Sequence, residues 1–271
     1  MLKRDDGAEL SAILKDEQPD ITFLQEHKFQ DIHVPKHEPD VLRIFDEACA
    51  DKGPHRATWA VSLQRKGYSG TCAIYHSDAG GGVVDASTGV VGKVEQAEGR
   101  SVSLALNCGL TVVGVYVPNS GQQLARLAYR VNEWDKSLRS YLGQARGRGG
   151  VVLCGDLNVA HQDLDIWNAA EPRILKQAGT TAEERASFSR FLSELDMVDA
   201  FRWLNPEAAG MYTYWSRRHR LRPVNKGLRL DYFLLSRFIA EGTTQVTLQD
   251  CRILSKYGGS DHCPVVCSMF I

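Results

Sequence analysis

Strand-sized apolar runs alternate with helix-period segments from one end of the chain to the other, and this limits the fold to the α/β classes. Ile21–Gln25, after the breaker Pro19-Asp20, reads as a strand, as do residues 57–63, 71–75, 101–106 and 110–117. Val151–Cys154, Tyr212–Trp215, Arg229–Leu235, Val246–Leu248 and Pro264–Phe270 read the same way. Ala8–Glu17 carries Leu10, Ile13 and Leu14 on one face and predicts a short helix. Leu124, Leu127, Val131, Trp134, Leu138 and Tyr141 recur at alternating spacings of three and four. They predict one long helix, ending at Gly143 and a flexible Gly147-Arg148-Gly149-Gly150. Thr181-Ala182-Glu183-Glu184 is a capping-box pattern ahead of Phe188, Phe191, Leu192 and Leu195, and predicts another helix. Ser77–Gly92, rich in Gly, Ser and Asp, predicts loops and a short edge strand. No repeat, low-complexity tract or Pro/Ser linker divides the chain, so one α/β domain is the economical reading.

At 271 residues, the length allows one large core or two small ones. With 43% hydrophobic and 24% charged residues, the composition excludes a disordered chain, a collagen and a coiled-coil rod. Lys+Arg 32 against Asp+Glu 33 leaves a formal charge of −1, so a polyanion must be met by a local patch. Residues 102–125 carry no charge, but Asn107-Cys108-Gly109 splits them into two strand-sized runs. A hairpin is the better reading, and the chain is expected to be soluble with no membrane partner. No signal peptide follows Met1-Leu2-Lys3-Arg4-Asp5-Asp6. Seven cysteines, an odd number without CxxC spacing, include Cys72, Cys154 and Cys267 inside apolar runs. Reduced, buried thiols and an intracellular, reducing compartment follow.

Four carboxylates stand at strand ends beside turn residues. Glu26 follows Ile-Thr-Phe-Leu-Gln, Asp156 follows Val-Val-Leu-Cys-Gly, Asp231 precedes Tyr-Phe-Leu-Leu, and Asp261 precedes His-Cys-Pro-Val-Val. Any one alone reads as an ordinary solvated acid. Together with Asn119, Asn158 and His262 they predict convergence at one sheet edge, where a cation or a raised pKa must relieve their repulsion. A hard divalent ion with carboxylate and water ligands would do so. The segment Arg217–Arg229 holds six Lys/Arg and no acid, follows Tyr212-Thr213-Tyr214-Trp215-Ser216, and leads into the strand that carries Asp231. A charge run alone reads as a solvated face; this placement points to phosphate recognition.

Leu24-Gln25-Glu26-His27-Lys28, Gly67-Tyr68-Ser69-Gly70-Thr71, Tyr116-Val117-Pro118-Asn119-Ser120-Gly121, Gly155-Asp156-Leu157-Asn158-Val159-Ala160-His161, Arg229-Leu230-Asp231-Tyr232-Phe233 and Ser260-Asp261-His262-Cys263-Pro264 occur in that order. The series resembles that of the exonuclease III family of apurinic/apyrimidinic endonucleases. The resemblance implies an α/β fold of the deoxyribonuclease I type: a four-layered sandwich of two packed mixed β-sheets flanked by helices, with the site at one end. It implies a Mg²⁺-dependent DNA phosphodiesterase of base excision repair, with Mn²⁺ as the alternative ion. Such an enzyme cuts double-stranded DNA 5′ to an abasic site, leaves a 3′-hydroxyl, and can carry 3′→5′ exonuclease or 3′-phosphodiesterase activity.

By the same resemblance, Glu26 is the main metal ligand, and Asp261, Asp156 and Asn158 lie in or beside the ligand set. Asp156 orients or deprotonates the attacking water while Asn158 fixes that geometry. Asp231 holds His262, which donates to the phosphate. Tyr116 and Asn119 donate to non-bridging oxygens. Tyr68, Arg100, Arg217, Arg222 and Arg229 contact the DNA backbone, and Tyr214, Trp215 and Leu228 line a pocket for the flipped sugar. Leu228 stands where many members have Trp, and Gln122 where some have Arg. A monomer and a nuclear location also follow from the resemblance alone. The family opens with a strand of the type Ser-Trp-Asn-Val-Asn-Gly-Leu-Arg, whereas Met1-Leu2-Lys3-Arg4 begins just past its end. Residues 1–271 are thus expected to form a single endonuclease/exonuclease/phosphatase domain that is incomplete at its N-terminus. The alternatives are a DNA-binding pseudoenzyme made inert by that missing strand, and a phosphodiesterase of the same fold acting on something other than DNA.

Overall fold

β-branched and apolar side chains on both faces of the central strands require cover on both sides, and the molecule supplies it. The computed structural model describes residues 7–146 and 149–271; Met1–Asp6, and Gly147-Arg148 of the expected flexible link, lie outside the described residues. The main sheet runs in the order β4 (Val83–Thr88), β5 (Ser101–Leu106), β6 (Thr111–Tyr116), β7 (Val151–Asp156), β9 (Asp231–Ser236), β8 (Met197–Asp199). β6 and β7 are parallel and the other pairs antiparallel. Parallel neighbours need a long crossover, and here it carries α3 (Leu127–Tyr129), a π-helical turn (Arg130–Trp134) and α4 (Asp135–Ala145).

That crossover replaces the single helix expected from periodicity. Arg130, Trp134, Leu138 and Leu142 are all buried, four residues apart. At 3.6 residues per turn each such step drifts by about 40° around an α-helix. One wider π turn takes the drift back and keeps the four side chains on one face.

Side chains alternate along β6 and β7. Val112, Val152 and Cys154 face the second layer, while Val113, Val115, Val151 and Leu153 pack on Trp134, Leu138 and α5 (Ala182–Glu194) through Phe188 and Phe191. The predicted capping box of α5 is present: Thr181 Oγ1 accepts from the Glu184 amide, and Glu184 accepts from the Thr181 amide. The second layer holds the antiparallel sheet β1 (Ile21–Gln25), β3 (Thr71–His76), β2 (His55–Ala60), in that order, and the antiparallel pair β10 (Thr247–Ile253) and β11 (Val265–Phe270). The sandwich is the expected one, but its second layer is two antiparallel pieces rather than one mixed sheet. α1 (Ala8–Glu17) and α2 (Val34–Ala48) cover its outer face through Leu10, Leu14, Val41 and Phe45 against Cys72 and Ile74. The layers approach closely at Gly114, where a Cβ would fall 2.0 Å from the Phe23 ring.

Two further expectations change. Tyr212–Trp215 is not a strand but a turning segment with isolated bridges from Tyr214 to Leu228 and to His262. Thr213 Oγ1 accepts from the Leu230 and Asp231 amides, while the Trp215 amide donates to Asp261, so its partners lie on different segments. α2 was hidden by Pro35 and Pro39, which fall at its start and inside it. All seven cysteines are unpaired, five of them buried. Among the described residues no helix is long and apolar enough to cross a membrane.

Arg229, expected on DNA, faces inward and is 1% exposed. Its guanidinium bonds Asp165 at 2.8 and 3.1 Å and Asp199 at 3.0 and 2.6 Å. Arg202 also reaches Asp165, at 2.7 Å. A buried guanidinium with two carboxylates is a structural clamp, not a phosphate ligand. Arg229→Met removes the cation from Asp199 and leaves Asp165 with Arg202 alone. Breaking a buried pair in this way is expected to cost about 3–5 kcal/mol, measured as a lower urea midpoint at unchanged slope.

Candidate active site

Register alone aligns three of the expected residues. Tyr116 pairs with Asp156 across β6–β7, and Asp156 with Asp231 across β7–β9, so a phenol and two carboxylates stand in a row at the strand ends. Gly155 precedes Asp156 with φ +121°, and a Cβ there would lie 2.2 Å from the Val115 carbonyl oxygen. Only glycine lets β7 deliver the acid so close to β6.

Asp156 is buried, and both its oxygens are held by Asn158. Oδ1 accepts from the Asn158 backbone N–H at 2.8 Å and Oδ2 from its side-chain amide at 3.1 Å. Asn158 is left-handed (φ 48°), a conformation that asparagine tolerates. Its amide also donates to Val117 O at 2.9 Å, and its Oδ1 accepts from Asn119 at 2.8 Å. Both amide hydrogens and the carbonyl oxygen of Asn158 thus bond protein groups, an arrangement that orients Asp156. Burial, then the facing Asp231 charge, push the Asp156 carboxyl up to about 7. Beneath this turn, Arg130 donates to the Leu157 and Asn158 carbonyls at 2.6 and 2.9 Å.

Asp231 accepts from His262 Nδ1 at 2.8 Å, which leaves Nε2 as the ring's second donor. Burial alone would lower the imidazole pKa, but the Asp231 carboxylate, its hydrogen bond, and then Asp156 and Asp261 raise it to about 10. His262 is therefore an imidazolium that donates through Nε2 at neutral pH. Asp261 is half-buried beside it and ties the loop to Trp215 through its carbonyl oxygen, 2.9 Å from the Trp215 amide.

Glu26 follows β1 in a left-handed turn, with φ 57° at Glu26 and 59° at Lys28. One carboxylate oxygen accepts from the Tyr116 hydroxyl, and the other lies 2.7 Å from Lys28 Nζ. Burial would raise the Glu26 pKa, but the Lys28 and Tyr116 bonds outweigh it and hold it low. Burial and the neighbouring Asp156 and Glu26 charges raise that of Tyr116 far above its usual value, so it stays a neutral donor.

Glu26, Tyr116, Asn119, Asp156, Asn158, Asp231 and His262 are thus joined by hydrogen bonds or strand pairing. Among the described residues, no three His, Cys, Asp or Glu side chains stand close enough to share a metal ion. What is present fits an ion of the Mg²⁺ type, which takes one or two carboxylates and completes its shell with water and phosphate. The Glu26 side chain is 42% exposed, against 14% for Asp231, and so is open to an ion from solvent.

The structure divides the expected DNA-contacting set. Arg100 is 2% exposed and buried between Glu98, the Tyr116 carbonyl (3.0 Å) and the Tyr68 hydroxyl (2.7 Å), with its guanidinium 4.7 Å from the Tyr116 ring centre. It braces Tyr116 and Tyr68 instead of meeting DNA. Tyr68 is half-buried, and its hydroxyl also accepts from Arg126. Arg222 spends its guanidinium on the Ser255, Tyr257 and Ser260 carbonyls and lies 4.4 Å from the Trp215 ring centre, so it props the loop that carries His262. Trp215 is buried, its indole donating to Asn225, and cannot line a sugar pocket. Tyr214 and Leu228 are half-buried at the site, with the Tyr214 ring 5.0 Å from that of His262. Arg217 is exposed and donates to Gly259 O; Arg218 and Arg220 of the same turn are also exposed, as are Arg65 and Lys66 near Tyr68.

Sequence reasoning missed the supports. The sequence marks Glu184 only as a capping residue, yet it also accepts from Ser120 at 2.5 Å and Gly179 at 2.8 Å, and so joins the loop after β6 to α5. Its burial had no sequence signal beyond the capping pattern, and Arg130 had none.

This layering, with acids presented at the ends of central strands, defines a deoxyribonuclease I-like phosphodiester hydrolase. A sequence model described as the Endonuclease/Exonuclease/phosphatase family matches residues 3–262. The chain belongs to that family, in its apurinic/apyrimidinic endonuclease and exonuclease III branch. It is 37% identical over 243 residues to the DNA repair nuclease APEX1 of Danio rerio, across 86% of this chain and 74% of the relative. It is 36% identical over 252 residues to the exodeoxyribonuclease of Bacillus subtilis (strain 168), across 93% and 88%. The solved AP endonuclease of Leishmania major superimposes with a TM-score of 0.77 at 31% identity, across 97% of this chain and 82% of that one.

The Asp231–His262 pair makes a direct prediction. In Asp231→Asn the imidazole loses its largest favourable charge, and its titration midpoint should fall from about 10 toward the ordinary value of about 6.5. Histidine ring resonances followed by NMR across pH would show it.

Proposed function

We propose that this protein hydrolyses double-stranded DNA on the 5′ side of an abasic site and leaves a 3′-hydroxyl, with trimming of 3′ ends at the same site. The carrying observation is the pairing of a buried carboxyl near neutrality, Asp156, with an imidazolium, His262, through the shared neighbour Asp231. A base poised near pH 7 and a fixed donor beside it suit attack of water on a phosphodiester. Asp156 takes the proton of the attacking water, whose oxygen forms the new bond to phosphorus. The bond from phosphorus to the 3′-oxygen breaks with its electron pair on that oxygen, which takes a proton from solvent water to become the hydroxyl. His262 Nε2–H donates to a non-bridging oxygen as charge builds there, and the Tyr116 hydroxyl joins it by turning its one hydrogen from Glu26 to the phosphate. Glu26 would hold Mg²⁺, or Mn²⁺ in its place, with Asp261 alongside; the ion would supply Lewis-acid polarisation and charge neutralisation there.

Exposed Arg217, Arg218 and Arg220 on one side and Arg65 and Lys66 on the other supply positive charge for the duplex backbone. Tyr214 and Leu228 offer an apolar wall for a sugar without a base. The names of the relatives, a DNA repair nuclease and an exodeoxyribonuclease, support DNA as the substrate. A monomer acting in base excision repair inside the nucleus completes the reading, in keeping with the unpaired cysteines.

A duplex with one abasic analogue is expected to be nicked 5′ to the lesion with Mg²⁺ and left intact with EDTA. Asp156→Asn should lower turnover about 10²–10⁴-fold while duplex binding persists, and Glu26→Gln should raise the metal concentration needed. Binding without incision by the unaltered chain would instead favour a pseudoenzyme. The rate should climb as Asp156 ionises near pH 7 and decline as His262 loses its proton near pH 10, a bell read from single-turnover rates across pH.

A further inference from the structure

Lys28 stands where a cation is wanted. Its ammonium lies 2.7 Å from one oxygen of Glu26, whose other oxygen is occupied by the Tyr116 hydroxyl. Surface lysines are normally mobile, but this one projects from a clamped turn. The Lys28 amide donates to Ser69 O at 3.0 Å and the His27 amide to Gly70 O at 3.3 Å. Between the two left-handed residues, the His27 ring turns inward: its Nε2 bonds Ala60 O at 3.1 Å, its Nδ1 accepts from the Phe29 amide at 3.0 Å, and it packs edge-on against Trp59. Gly70 fits against that ring so tightly that a Cβ would fall 2.5 Å from it. With His27 anchored, Glu26 and Lys28 are both directed outward and held together. Among the described residues, Glu26 is the one carboxylate paired with Lys28.

Resting on the reading of Glu26 as the metal ligand, we infer that Lys28 is a built-in competitor for the divalent ion, which must displace the ammonium from Glu26 to bind. An ammonium is a compact unit charge with three donors. It neutralises Glu26 while the site is empty of substrate, and it repels a second cation that approaches the same carboxylate. Exposed ion pairs are weak, so the barrier is modest and the exchange reversible. An ion that arrives with DNA has the phosphate to share its charge, and the displaced ammonium has a phosphate oxygen to bond. The site is thereby biased to load metal together with DNA instead of before it.

The test is calorimetric titration of the DNA-free protein with Mn²⁺. Lys28→Met, which keeps most of the aliphatic stem and removes the charge, is expected to bind Mn²⁺ about three- to tenfold more tightly than the unaltered chain. Lys28→Arg, which keeps the charge, should bind within about twofold of it. Equal or weaker affinity in Lys28→Met overturns the inference. Glu26→Gln separates the competition by Lys28 from the placement of the metal on Glu26. If it abolishes binding while Lys28→Met changes nothing, competition alone fails; if it binds as well as the unaltered chain, the assignment of the metal to Glu26 fails with it.

Discussion

Asp156 and Asp231 face each other on adjacent antiparallel strands, whose backbones lie about 4.8 Å apart. Two carboxylates so placed in a largely buried position repel, and the surrounding chemistry answers that repulsion. Asp156 takes two hydrogen bonds from Asn158 and keeps a proton to near neutrality; Asp231 takes the His262 imidazolium. One carboxyl is left to act as a base and the other is committed to a cation. Environment, not residue type, sets these different tasks.

Buried guanidinium groups hold the parts in place. Arg130 supports the turn after β7 by its carbonyls, Arg100 lies beneath Tyr116, and Arg229 ties the start of β9 to Asp165 and Asp199. Each serves several acceptors with a rigid planar fork, which a flexible ammonium does less well. The fixed supports are arginines, and the exchangeable charge beside Glu26 is a lysine.

Much of this was legible in the sequence because the acids follow or precede apolar runs of strand length, and strands in register end together. Glu26, Tyr116, Asp156, Asp231 and His262 met for that reason. The arginines were not legible. Arg100, Arg222 and Arg229 look in sequence like Arg218 or Arg220, and what turns them inward is distant: Asp165 lies 64 positions and Asp199 30 positions from Arg229. The same gap explains Trp215, whose burial depends on Asn225 and on the Arg222 stack. The π turn was hidden because the four-residue spacing that requires it includes Arg130, which no apolar pattern counts. α2 was hidden by its prolines, although Pro35 sits where a helix start accepts one.

The divided second layer gives the two sides of the site unequal footing. β1 has one hydrogen-bonded neighbour, β3, and β11 has one, β10, so among the described residues each presents a bare row of amides and carbonyls along its other margin. Phe270, 67% exposed, sits at the end of β11. Asp156 springs from an interior strand gripped on both sides, whereas Glu26 hangs from a margin gripped on one. Thermal breathing should therefore be concentrated beneath Glu26.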